Sequence, residues 1–296
     1  MYLLVARAAL FGVMLGAAIA SPIEGYPQPQ LLVAPEDLAA IKASPRPVVL
    51  DARPQAKYLA GHVPGARRVD AEAWAKSFKQ GEDVKGWSDR IGELAITADS
   101  RVIIYDDNQS KDSARIWWIL RYWGVESAAV LDGGWSGWTD AKLPVETVAA
   151  AWKPLEFKAV PRAERFASKQ KIAASLKDRS LQIVDARSEK EHCGIELLRN
   201  KRSGSIPGAK HLEWSDLLDP KTRRFKPAAE LKKIFADAGI DLDAPTAAHC
   251  QGGGRSAVMV FGMELLGAKS VANYHPSWAE WSADPEMPIA KPSPRK

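Results

Sequence analysis

Cys250 is followed by Gln251-Gly252-Gly253-Gly254-Arg255-Ser256, a run that can hold a nucleophile in an anion cradle. Pro245 to His249 read as the end of a strand, and a helix begins near Ser256. Between them three glycines let the backbone turn with its N–H groups inward, and the helix N-terminus adds positive potential at the loop centre. That potential and Arg255 both favour Cys-S⁻ over Cys-SH, the condition for a nucleophilic sulfur at neutral pH. Arg255 can also donate to an incoming oxyanion. The plainer alternative for a lone cysteine is a small buried hydrophobe beside a flexible turn. Three consecutive glycines argue against it, because each costs backbone entropy that is tolerated where the chain must approach a ligand. His249 precedes the nucleophile, but alternation along the strand points its side chain away. Cys193, beside His192, is read first as a loop thiol without a partner, and second as a thiol that resolves or pairs with Cys250. Arg199, Lys201 and Arg202 read as a solvated charged face.

The elements that position this loop occur twice. VVLDARP at 48–54 matches QIVDARS at 182–188, each a β-branched run ending in Asp-Ala-Arg. GHVPGA at 61–66 matches GSIPGA at 204–209, with a lengthened loop before the second copy. RVIIYDD at 101–107 matches TAAHCQG at 246–252, and LDGGWSGW at 131–138 faces NYHPSW at 273–278 with Trp281. Within each copy short strands alternate with helical stretches such as SARIWWILRYWG and RSAVMVFGMELLG, which predicts parallel strands with crossover helices on both faces. Asp51-Arg53 and Asp185-Arg187 read as pins between strand ends and neighbouring turns. Many of the tryptophans sit at helical spacing or at the repeat ends, positions that fill cores or the seam between the copies.

With both Asp-Ala-Arg strands, both Pro-Gly-Ala turns and the Cys-x-x-Gly-x-Arg loop of Cys250, Gly253 and Arg255 in place, the chain resembles the tandem-domain rhodaneses, or thiosulfate sulfurtransferases, over about residues 30–285. The resemblance implies an α/β fold of two tandem rhodanese-like doubly wound domains, each a parallel sheet flanked by helices, with the nucleophile in the second. In keeping with that, Asp106 stands where Cys250 sits, and YDDNQSKDSAR puts acids that would repel an anion in place of the glycine loop, so the first copy reads as catalytically silent. By resemblance, Cys250 takes sulfur from thiosulfate as a persulfide and passes it to a thiol, cyanide or protein acceptor. Arg255 is its oxyanion contact, and Gln251, Gly252, Gly253, Gly254 and Ser256 line the substrate. No metal and no organic cofactor is implied. Related phosphatases and arsenate reductases place five residues between Cys and Arg; here there are four, a loop better sized for sulfur than for phosphate. Mercaptopyruvate sulfurtransferases of this architecture carry an arginine where this chain has Glu191, so a small anionic sulfur donor such as thiosulfate ranks above mercaptopyruvate. A persulfide-binding module without turnover is the reading from another class. The loop lysine of the family's animal enzymes is missing, since Gln251-Gly252 supply no cation, and His275-Pro276 replaces the usual Asp-Gly.

Composition bounds the rest. At 296 residues, with 46% hydrophobic and 26% charged side chains, the chain suits two globular domains and excludes wholesale disorder. The net charge of +5 with no dense basic run argues against nucleic acid. Two cysteines cannot build a disulfide framework or a four-thiolate zinc site. Residues 1–20 read as a signal peptide, with Arg7, an apolar run and an Ala18-Ile19-Ala20 cleavage site. The run is too short to span a bilayer, so the expected mature product is periplasmic or secreted, without stable membrane insertion. The expected boundaries are an extended tail at 21–30, a non-catalytic domain at 31–145, a linker at 146–165 lying extended over the other domain, and a catalytic domain at 166–290.

Overall fold

The computed structural model describes residue 23 and residues 25–42, 46–78 and 82–294, so the expected signal peptide lies outside the described residues. Among the described residues nine strands form two sheets. The first contains β1 (Leu32–Val33), β2 (Val48–Asp51), β3 (Arg67–Arg68), β4 (Val102–Tyr105) and β5 (Ala128–Leu131), in the order β1-β5-β4-β2-β3. The second contains β6 (Gln182–Asp185), β7 (Lys210–His211), β8 (Thr246–His249) and β9 (Val271–Asn273), in the order β7-β6-β8-β9. All pairings between named strands are parallel, as the alternation of strands and helices predicts. The central strands β2, β4, β5 and β8 are buried throughout, which explains why they read as continuous apolar runs. Register pairs Asp51 with Tyr105 and Asp185 with His249. Each Asp-Ala-Arg corner therefore stands beside the loop that leaves the neighbouring strand, at the carboxyl edge where open α/β sheets hold their ligands.

Two apolar layers are private to one half each. One contains Val33, Val49, Ile103 and Leu131, and the other Ile183, Ala247, Ala272 and Trp281. The largest layer is shared: Trp117, Trp118 and Trp123 of the first half join Phe235, Phe261 and Met263 of the second in one buried cluster. The two helices that meet there, Lys111–Tyr122 and Gly254–Leu265, are the ones that open from the two loops under comparison. Trp117 packs edge-on against Phe261 at 4.9 Å between centroids. Nearly every residue of the Gly254–Leu265 helix is buried, so its all-round apolarity is that of a core helix.

The linker crosses the first half without helix or strand until a 3-10 turn at Ala163–Arg165. Glu146 pairs with His62, Trp152 Nε1 donates to Glu93 O at 2.7 Å, and Phe157 enters the shared core. Ahead of β1, the tail lies on the second half, with Tyr26 buried and Gln28 N–H donating to Leu265 O at 3.2 Å.

Candidate active site

Cys250 sits at the end of β8, 2% exposed, and the loop after it closes over the sulfur. Gly253 N–H donates to Cys250 Sγ at 3.2 Å. Gly253 has φ +84°, and a Cβ there would stand 2.6 Å from the His275 ring, so this position needs glycine twice over. Gly254 lets Arg115 lie close over the loop, because a Cβ there would stand 2.4 Å from Arg115 Nη2 and the flexible side chain would have to move aside. Gly252 meets nothing within 4 Å and has no positive φ, so neither space nor dihedral holds that position to glycine, and its part in the cradle is its amide, which helps to lower the Cys250 thiol. Burial raises the Cys250 pKa, yet Arg255, the Ser256 hydroxyl and the amides of Ser256 and Gly252 outweigh it, and the thiol lies below its ordinary range.

Side chains from several elements hold the loop. Ser256 Oγ lies 3.5 Å from Sγ and 2.7 Å from Asn273 Oδ1, and its single proton can serve only one of them at a time. Asn273 Nδ2 donates to Gly253 O at 3.2 Å. Ser277 Oγ accepts Cys250 N–H at 3.1 Å and donates to Tyr274 O at 2.6 Å. Trp278 and Ala279 N–H at the start of the Ser277–Ala283 helix donate to the carbonyls of Cys250 and Gln251. Gln251 does not turn inward alone: it exchanges amide hydrogen bonds with Asn200 of the lengthened loop, at 2.6 and 3.1 Å. His275, unexplained by motif comparison, is buried behind Gly253 and stacks on Trp118 of the first half at 5.4 Å.

Arg255, expected as an oxyanion contact, is in this structure paired with a carboxylate. Its Nη1 and Nη2 donate to the two carboxylate oxygens of Glu191 at 2.6 and 2.8 Å. Glu191 is held in turn by a capping box with Ser188 at the start of the short helix after β6. Burial opposes the charge on Arg255, but Glu191 and then Cys250 raise its pKa. Below lies the second Asp-Ala-Arg corner: Arg187 donates to Asp185 and to Gly204 O at 2.8 Å, and His192 Nδ1 lies 2.9 Å from Asp185 Oδ2. Burial raises the Asp185 pKa, but His249, Arg187 and His192 outweigh it and hold the carboxyl well below its usual range. His249 Nε2 is 3.7 Å from Asp185 Oδ2, and burial pushes the ring down to about 4, so it is a neutral prop beneath the loop. Arg202 is no solvated charge: it donates to the carbonyls of Trp281, Ser282, Asp284 and Met287, whereas Arg199 and Lys201 are exposed. Cys193 is free and buried, and burial followed by Glu189 and Asp185 raises its pKa. Asn200, Asn273, Ser277 and Arg115 went unread as site residues because each lies in a stretch of sequence away from the loop and only the tertiary fold brings it there.

The first half repeats the architecture with a different occupant. Arg53 joins Asp51 to Gly61 O just as Arg187 joins Asp185 to Gly204 O, and each arginine stacks on a tryptophan, Trp135 at 3.9 Å and Trp278 at 4.4 Å. In the loop after β4, however, the Asp106 carboxylate accepts N–H groups from Asn108, Ser110, Asp112 and Ser113 at 2.8 to 3.0 Å. The acids were expected to repel an anion. Asp106 does more, since it fills the cradle with the chain's own carboxylate.

A thiol held low by amides and a guanidinium at the carboxyl edge of a parallel sheet, with a structural twin beside it, defines a duplicated α/β fold with one activated cysteine. The Rhodanese-like domain model matches residues 34–141 and 168–284, and the chain belongs to the rhodanese-like sulfurtransferase family. It is 30% identical over 268 residues to a thiosulfate sulfurtransferase of Pseudomonas aeruginosa, covering 88% of this chain and 96% of the relative. It is 29% identical over 239 residues to a 3-mercaptopyruvate sulfurtransferase of Escherichia coli K12, covering 79% and 84%. Among solved structures, an anaerobic ergothioneine biosynthesis enzyme from Chlorobium limicola in complex with trimethyl histidine matches with a TM-score of 0.79 and 25% identity, covering 90% of this chain and 72% of that one. Among the described residues no cluster has the makings of a metal site, and no helix is long and apolar enough to cross a membrane.

Proposed function

We propose that the chain is a thiosulfate sulfurtransferase that carries sulfane sulfur on Cys250. The thiolate attacks the outer sulfur of thiosulfate, the S–S bond breaks, sulfite leaves with the bonding pair, and Cys250–S–S⁻ remains. Cyanide or a thiolate then takes the terminal sulfur and returns the Cys250 thiolate. The observation that carries this reading is the Gly253 N–H on Sγ at 3.2 Å, in a site that holds the thiol below its ordinary range. The same amides stabilise the negative terminal sulfur of a persulfide without reorganising.

Glu191 favours thiosulfate over mercaptopyruvate. It stands where a carboxylate-binding arginine would be needed, and its two oxygens are turned onto Arg255. An α-keto carboxylate therefore meets an acid already paired, with no replacement cation at that position. The test is intact-mass spectrometry after thiosulfate. The wild-type chain should gain one sulfur that cyanide removes as thiocyanate, Cys250→Ser should gain none, and mercaptopyruvate should load the wild type more slowly. A chain that stays unmodified by both donors at neutral pH overturns the proposal. The export reading of residues 1–20 belongs to the same proposal, and a periplasmic product whose N-terminus begins at Ser21 would support it.

A further inference from the structure

Among the described residues, the catalytic loop receives one hydrogen bond from the other half of the molecule. Arg115, on the Lys111–Tyr122 helix of the silent half, extends Nη2 to Gly252 O at 3.1 Å. Its guanidinium lies so close over the loop that a Cβ at Gly254 would stand 2.4 Å from Nη2 and 3.1 Å from Cζ. Arg115 Nε is buried without a hydrogen-bond partner, and no carboxylate among the described residues lies in ion-pair range of the side chain. Arg255, by contrast, has both terminal nitrogens on Glu191. The loop thus touches two guanidiniums, one neutralised by a carboxylate and one not.

What Arg115 grips decides what it does. The peptide joining Gly252 to Gly253 is planar and trans, so its C=O and N–H point in opposite directions. A guanidinium that holds Gly252 O on the outside therefore aims Gly253 N–H at the inside, where it meets Cys250 Sγ at 3.2 Å. Glycines on both sides of that peptide give it little stiffness of its own, and a peptide flip would turn a carbonyl toward the sulfur. A charge on the carbonyl side also polarises the amide and strengthens the N–H as a donor. Asn273 secures the next peptide by donating to Gly253 O, which leaves the Gly252–Gly253 unit to Arg115.

We propose that Arg115 is a positioning residue for the sulfur chemistry, contributed by the half that lacks a nucleophile: through the Gly252–Gly253 peptide it holds the amide that stabilises the Cys250 thiolate and persulfide. The inference rests on Cys250 being the sulfur carrier, and it makes the silent half part of the active site. It also answers the missing loop lysine, since the cation comes from across the seam. The other charged and titratable groups around Cys250 are Arg255 with Glu191, the Asp185–Arg187 pair beneath His249, and the buried neutral rings of His249 and His275.

The test is the pH dependence of Cys250 alkylation by iodoacetamide in the full-length chain, read by peptide mass so that Cys193 is counted separately. Arg115→Gln should raise the Cys250 pKa by about one unit, seen as about a tenfold slower alkylation at pH values below it, and Arg115→Lys should recover part of the loss. Gly254→Ala keeps Arg115 but pushes it off the loop, and should shift the profile the same way. Arg121→Gln disturbs the ion pairs with Glu264 and Glu126 at the far end of the seam and should leave the profile in place. Melting curves show which variants are folded, and the folded ones among Arg115→Gln and Gly254→Ala carry the test. An unmoved profile in a folded Arg115→Gln or Gly254→Ala chain overturns the inference, as does an equal shift in Arg121→Gln. Alkylation uses no sulfur donor, so the outcomes separate: a wild type that takes no sulfur while the profile shifts sinks the proposed function alone, and a wild type that loads sulfur while the profile stays sinks only the role of Arg115.

Discussion

Glu191 and Arg255 form a bidentate ion pair, two parallel N–H···O contacts of 2.6 and 2.8 Å, with the Glu191 side chain 5% exposed and the Arg255 side chain 20%. Burial opposes ionisation of Glu191, but Arg255 outweighs it, so the carboxyl lies below its ordinary range and the pair is charged at neutral pH. Removing one partner of such a pair strands the other charge. Glu191→Gln should therefore destabilise the second half by about 1–3 kcal/mol, less than a fully buried pair because Arg255 reaches water. Urea unfolding measures this, and an unchanged midpoint would show that the pair contributes nothing net. The two thiols differ as sharply. Cys250 is lowered by Arg255, Ser256 and amides against the pull of burial, and Cys193 is raised by burial and by Glu189 and Asp185. At pH 7 iodoacetamide should label Cys250 well ahead of Cys193 in the folded chain, and equal labelling would contradict the geometry around both.

The strand–loop–helix unit that cradles Cys250 is also present around Asp106, and the comparison shows what the loop backbone demands. Amide groups converge in both copies, and each copy must supply an acceptor. In the second half it is the Cys250 sulfur; in the first it is a carboxylate that accepts four N–H groups. Asp106→Ala should thus leave four buried or half-buried donors without their acceptor and cost the first half roughly 2–4 kcal/mol. Asp106→Asn should cost less, since one carbonyl oxygen remains. Differential unfolding of the variants checks the order. The unit itself was legible in the sequence: a strand end, a cysteine, glycines and an arginine at short spacing put Cys250, Gly253, Gly254 and Arg255 on one strand–loop–helix turn, and the structure has that turn. What spacing could not show was direction across the tertiary fold. Acidity in YDDNQSKDSAR reads as repulsion until Asp106 is seen to turn inward, nothing in the spacing shows that Glu191 faces Arg255, and the three glycines look equivalent until Arg115 and His275 are seen to press on two of them.

Across the whole molecule, the duplication builds one shared core, and that seam carries titratable groups with opposite demands on pH. His275 is stacked among Trp118 and Phe78 with Nε2 unpartnered, and burial together with Arg115 pushes it down to about 3. His249 is pushed down by burial to about 4. An unfolded chain protonates both rings near pH 6.5, and the folded chain refuses the protons until well below that. Their contribution is therefore complete above pH 6.5 and lost as pH falls toward 4, about 2–3 kcal/mol for each by pH 4.5. Asp132 works the other way. Its carboxylate accepts Phe225 N–H of the second half at 2.9 Å, and burial pushes it up to about 7 despite that hydrogen bond. Between the ordinary carboxyl pKa and about 7 the unfolded chain releases this proton and the folded chain keeps it, so Asp132 takes stability away as pH rises through that window. The two effects oppose each other: Asp106 and Glu264, also raised by burial, act with Asp132, and the two histidines act against all three. The expected net effect is a melting temperature that falls from pH 7 to pH 4.5. His275→Phe keeps an aromatic ring in the Trp118 stack and has no proton to refuse, and it should shallow the fall. Asp132→Asn keeps an acceptor for Phe225 and should steepen it, because the countervailing term is gone. Thermal melts of the three chains across pH 4.5 to 7 decide the matter: if all three lose the same number of degrees, the seam is not what makes this molecule sensitive to acid.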